Sequence, residues 1–161
     1  MNATLDRGGE GALADALVGL LGHLRGPSYE GLYPGPGEAL HREADRFVSR
    51  LAEHLRYTEE VLFPALGGLE PGSACDFQEL ETEHRLLHLH ARDLAIQVKA
   101  GDLGAAYGVT RSFLAVLLDH LRRETVGVDR WVSSLDVLDA RRLSSALLER
   151  RDPRGLQDPP P

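Results

Sequence analysis

Three pairs of side chains stand at helical spacing inside amphipathic segments: His54 with Thr58, His84 with His88, and His120 with Glu124. Residues four apart on a helix are about 40° apart in direction and ~6 Å apart along the axis. Each segment therefore aims an imidazole, with a second polar group one turn away, in one direction. His23 adds an imidazole to an upstream segment. Imidazole and carboxylate converging from several elements suit metals of the iron and zinc type. The core of a helix bundle is where such sets are commonly assembled.

The apolar spacing sets out the helices. A first helix is expected from Gly11 to Arg25, with Leu13, Leu17, Leu20, Leu21 and Leu24 on one side, stopped by Gly26-Pro27. Residues 26–36 carry three prolines and three glycines and read as a long loop. A second helix is expected from Glu38 to Leu66, ended by Gly67-Gly68, and a third from Asp76 to Ala100, capped by Gly101. A fourth runs from Leu103 to Trp131, with Gly127 as a point where it breaks or bends. A fifth, Asp136 to Arg150, opens on a carboxylate-rich turn. No Val/Ile-rich alternating segment competes for strand. Four long helices with mainly short loops predict an all-α, up-down-up-down four-helix bundle with a short extra C-terminal helix. The expected division is a bundle over 10–131, an appended helix over 132–150 and a disordered tail over 151–161, with residues 1–9 frayed.

Position along the helices sharpens the metal reading. His54 and Thr58 lie 12 and 8 residues before Leu66, and His84 and His88 lie 8 and 12 residues after Asp76. Antiparallel packing brings all four to one height, with His120 and Glu124 within about a turn of it. His41 is about four turns away, and His90 points about 200° from His88. Both read as surface or boundary residues.

Composition narrows the partners. The 161 residues carry a net charge of −7, which argues against nucleic acid or an anionic membrane. No apolar run approaches the ~20 residues of a membrane span, and the N-terminus lacks a signal peptide's order of segments. The single cysteine, Cys75, makes no internal disulfide and reads as a solvent-near thiol. A cytoplasmic location is the expectation.

The segments HLRYTEEVLFPAL at 54–66, EHRLLHLH at 83–90 and HLRRE at 120–124 resemble those of the hemerythrin-like (HHE) cation-binding domains, with the likeness spanning roughly residues 10 to 131. The resemblance implies a four-helix bundle holding a non-haem di-iron centre, typically on five histidines and two bridging carboxylates. It implies binding or sensing of dioxygen or nitric oxide, or handling of iron. Carried onto this chain, it makes His54, His84, His88, His120 and Glu124 metal ligands. Two positions depart from the pattern. Thr58 stands where a bridging Glu is expected, and the resemblance places Ala16 where the first-helix His belongs, leaving His23 as the candidate on that helix.

Glu59 is the candidate replacement carboxylate, the alternative being that it and Glu60 solvate the outer face. On a regular helix it lies about 140° from His54, off the inward face. A π-bulge, common at functional sites, would bring it in. Thr58 is expected to bond a metal-bound water or the carbonyl of residue 54. The expected cofactor is one or two irons per chain, with zinc or manganese chemically admissible. The function expected is that of a metal- or gas-binding protein more than an enzyme. The alternatives are a di-iron oxidase or peroxidase, and a metal-poor bundle acting as a regulatory or interaction module.

Overall fold

The computed structural model describes residues 7–25, 36–69 and 74–151. Every described element is helical: α1 (Arg7–Arg25), α2 (Pro36–Tyr57), a π-helical turn (Thr58–Leu62), α3 (Phe63–Gly67), α4 (Ala74–Ala100), α5 (Leu103–Ser134) and α6 (Val137–Arg151). The loop expected between the first two helices, the middle of the turn at 69–75, the side chain of Cys75, the first six residues and most of the tail lie outside the described residues. No described helix is long and apolar enough to cross a membrane.

The four long helices pack in a ring, with α1 against α2, α2 against α4, α4 against α5 and α5 against α1. This is the neighbour order of an up-down-up-down bundle. The sequence dictates the seam of each helix. In α4 the buried residues are Phe77, Leu80, His84, Leu87, Ala91, Leu94 and Val98, alternating steps of three and four. In α5 they are Ala106, Thr110, Phe113, Leu117, His120, Leu121, Glu124, Val128 and Trp131. Such alternation gives a narrow inward stripe, as in coiled-coil packing.

Helix ends follow the expected chemistry. Gly101 takes φ +70, and the amides of Gly101 and Asp102 bond back to Val98 and Gln97. The Asp102 carboxylate then accepts from the Ala105 amide as the N-cap of α5. Asp136 does the same for α6, accepting from Leu138 and Asp139.

Two expectations fail here. The second helix is not regular to Leu66: it opens into the π turn, where the Phe63 amide bonds the Thr58 carbonyl five residues back. Pro64 is the physical reason. It has no N–H for the Glu60 carbonyl and its ring crowds that carbonyl, and a widened turn relieves the crowding. The fourth helix does not break at Gly127; it continues to Ser134. Gly127 serves packing instead, since a Cβ there would lie 3.0 Å from the Trp131 ring.

The core is in two parts. The larger one runs from Leu13 on α1 through Phe47, Leu51, Leu55, Leu87, Phe113 and Leu117 to Leu121. The smaller holds Leu62, Phe63, Leu66, Phe77, Leu80, Val128, Trp131 and, from α6, Leu143. Between them lies a polar layer. Thr58 falls between Leu55 and Leu62, His84 between Leu80 and Leu87, and Glu124 between Leu121 and Val128. α6 packs on α3 and on the π turn, beneath this layer.

Candidate metal centre

Thr58, His84 and His120 are fully buried, and Glu124 is 2% exposed. A buried polar group without a partner costs about 1–3 kcal/mol, and more if charged. The partners here are specific. Glu124 Oε2 lies 3.1 Å from His54 Nε2 and 3.2 Å from His120 Nε2. Thr58 Oγ1 is 2.9 Å from the His54 carbonyl and 3.2 Å from Glu124 Oε1. Its single proton serves one of these acceptors at a time. His54, His120 and Glu124 each offer a ligand atom, all within 4.8 Å of one another.

The outer nitrogens of the two buried rings are held by carboxylates. His84 Nδ1 is 2.8 Å from Glu59 Oε1, and His120 Nδ1 is 2.9 Å from Glu83 Oε2. A carboxylate only accepts, so each Nδ1 donates its proton. In the neutral rings this turns the Nε2 lone pairs inward. Neither Nε2 has a hydrogen-bond partner. The 3.2 Å approach of His120 Nε2 to Glu124 is thus an electrostatic contact, out of line for a hydrogen bond. The two rings are edge to face with centroids 4.8 Å apart. The stacked ring of Phe63, 5.7 Å away, flanks His84.

The electrostatics of the metal-free layer instead favour a proton between His120 and Glu124. Burial pushes the Glu124 carboxyl upward, yet the imidazoles of His120 and His54 outweigh it and hold the group well below the ordinary carboxylate range. Burial lowers the His84 pKa, opposed in part by its bond to Glu59 and reinforced by His120. Burial acts on His120 too, but the carboxylates of Glu124 and Glu83 prevail and raise its pKa.

These shifts set a pH dependence for the metal-free protein. His84 binds its proton less readily when folded, so its contribution to stability fades as pH falls through 6.5. His120 binds its proton more readily when folded, so its contribution fades as pH rises from 6.5 through its folded value. The thermal midpoint of the chelator-treated protein should therefore pass through a maximum near pH 6.5. A midpoint that is flat across about pH 5 to 8, the range where histidines titrate, would contradict these assignments.

The structure brings ligand atoms of His54, His120 and Glu124 together, with His84 edge to face against His120 and Glu59 on the outer nitrogen of His84. It does not bring in His88 or His23, whose side chains are exposed. For His88 the reason is the seam of α4, which steps from His84 by three residues to Leu87 and leaves the residue four along outside. His23 sits in the last turn of α1, beyond the inward Leu20. His90 is a boundary residue, half-buried with its ring stacked 5.4 Å from Phe113. Glu83 was not anticipated. The available signal is its place one residue before a seam histidine, at the height of His120 on the adjacent helix.

The family model of the hemerythrin HHE cation-binding domain matches residues 12–126. This chain belongs to that family. The match takes in most of all four long helices of the bundle and every residue of the polar layer. No curated protein and no solved structure matches the chain. The residues present in this hemerythrin-family bundle fit a cation. Two fully buried imidazoles turn unpartnered Nε2 atoms into the layer that holds the Glu124 anion. Lone pairs facing a carboxylate repel unless a proton or a metal lies among them.

Proposed function

We propose that this hemerythrin-family domain holds one tightly bound iron on His54, His84, His120 and Glu124, and uses it to bind or sense dioxygen or nitric oxide. The single observation that carries the reading is the pair of orphaned Nε2 atoms of His84 and His120, each with its Nδ1 tied to a carboxylate. Imidazoles bound to metals characteristically donate their other N–H in this way. Three neutral imidazoles and one carboxylate suit iron, and also zinc or manganese.

A second tight metal has too few donors. Thr58 supplies no bridging carboxylate, Glu59 is engaged by His84, and His88 and His23 lie outside. The domain is therefore asymmetric, against the two-metal pattern that the family resemblance implies.

When bound, iron supplies Lewis acidity, a one-electron redox couple and a coordination position for a small molecule. The chain's own residues do the rest. Glu124 is kept ionised and offsets the cation's charge. Thr58 donates to Glu124 or to the His54 carbonyl, fixing the carboxylate beside α2. Leu51, Leu62, Leu87, Leu117, Leu121 and Phe63 are all at most 6% exposed and close the layer above and below. Such walls keep water out and admit a diatomic molecule more readily than a larger substrate. The open groove between α4 and α5, about 190 Å³, is lined by none of the four proposed ligands.

Anaerobic titration of the Fe(II)-loaded protein with nitric oxide, then with dioxygen, tests the reading. The expected result is a saturable absorbance change at one nitric oxide per iron that His84→Ala lacks. Retained iron with no response to either gas would overturn the gas assignment. Sustained peroxide turnover would favour the oxidase or peroxidase reading.

A further inference from the structure

His84 and His120 are oriented by carboxylates of different character. Glu59 is 39% exposed and reaches His84 from the π turn. Glu83 is 13% exposed and reaches His120 from α4. The other oxygen of Glu83, Oε1, is in close contact with the Arg123 guanidinium. Arg123 also extends its Nε to Asp119, at 3.1 Å. Asp119 in turn lies 3.0 Å from Arg122. A continuous path of charged groups thus runs from half-exposed Arg123 to a fully buried imidazole. Arg123 and Glu83 also line the groove between α4 and α5, together with Arg122, Arg130 and Trp131. The outer end of the path therefore meets solvent.

We infer that Glu83 and Arg123 are positioning residues for the metal: Glu83 fixes the direction and electron donation of His120, and Arg123 moderates the charge that Glu83 exerts. This rests on the proposed role of His120 as a ligand. The chemistry has two parts. A carboxylate on Nδ1–H locks the tautomer and the ring angle and makes Nε2 a better donor. A guanidinium on the far oxygen draws negative charge away from the shared proton and pins the carboxylate in place. Removing one member of the pair therefore has an electronic effect opposite in sign to removing the other. A role in packing alone predicts no such pattern.

The test uses the full-length protein with two readouts. Zn(II) affinity, measured by competition with a chelator, isolates ligand positioning from redox chemistry. Glu83→Ala should weaken it by roughly 10- to 100-fold, the range seen when such partners of metal-bound histidines are removed. Glu83→Gln keeps an acceptor and should weaken it less. The exposed neighbour change Glu79→Ala should leave it unaltered. The reduction potential of the bound iron is the second readout. Glu83→Gln should move it in the positive direction, since a nearby negative charge that favours Fe(III) is lost. Arg123→Gln should move it in the negative direction, since Glu83 is then unopposed. Thermal midpoints of the metal-free variants identify any that fail to fold. Wild-type protein that binds neither Zn(II) nor iron would overturn the metal reading itself. Wild-type binding with unchanged affinity in Glu83→Ala, or potentials that shift in the same direction in both variants, would overturn the positioning role alone.

Discussion

Replacing His84 or His120 by alanine should remove most of the bound metal, whereas His88→Ala and His23→Ala should leave it in place. Each of the first two changes deletes a buried, unpartnered Nε2, which in His120 lies 3.2 Å from Glu124. It also leaves a carboxylate on the outer side, Glu59 or Glu83, without its imidazole. The exposed side chains of His88 and His23 make no approach to the cluster. His90→Ala belongs with the second group for metal content, although its loss removes a ring packed on Phe113. Metal analysis of the purified variants, with circular dichroism to confirm helix content, decides the matter. Full metal in His84→Ala, or its loss in His88→Ala, would show that the layer is not the binding site.

The second large effect is expected at Thr58. Its hydroxyl is fully buried, 3.2 Å from Glu124 Oε1. Thr58→Glu puts a second carboxylate into a layer whose first one is already held ionised. The effective penalty for an added buried charge is on the order of several kcal/mol, so the metal-free variant should unfold well below the wild type. For a chain of this size each kcal/mol corresponds to roughly 2–4 °C in thermal midpoint. Excess metal should restore much of the loss, because a cation neutralises the added carboxylate and stabilises only the folded state. Wild-type protein should gain too, by about 2.7 kcal/mol at a metal concentration of 100 times Kd. Equal midpoints for metal-free wild type and Thr58→Glu would mean that position 58 does not face the Glu124 carboxylate.

Much of the bundle was legible because apolar spacing and helix punctuation are local. Gly101 with Asp102, and Asp136, mark helix ends by their own chemistry and needed no tertiary information. The polar layer was legible in part, because His84 and His120 fall on the seams of α4 and α5. His88 was misplaced because spacing by four is shared by two different faces of a helix. Only the competing claim of Leu87 to the seam decides between them, and that depends on how narrowly α4 packs against its neighbours. The π turn was foreseen as a condition for Glu59 to turn inward, but Pro64 as its cause was not. Glu59 does reach the layer, at the outer nitrogen of His84. Glu83 went unnoticed because its partner, His120, is 37 residues away. A contact of that kind follows from helix rotation, which apolar periodicity fixes only to within a residue.

The proposed centre is a single asymmetric metal position, made by three imidazoles and one carboxylate within a family whose resemblance implies two irons. The most direct measurement is metal stoichiometry, by elemental analysis of anaerobically purified protein saturated with Fe(II) and freed of loosely held ions. One iron per chain is expected. Two tightly held irons, or none, would contradict it.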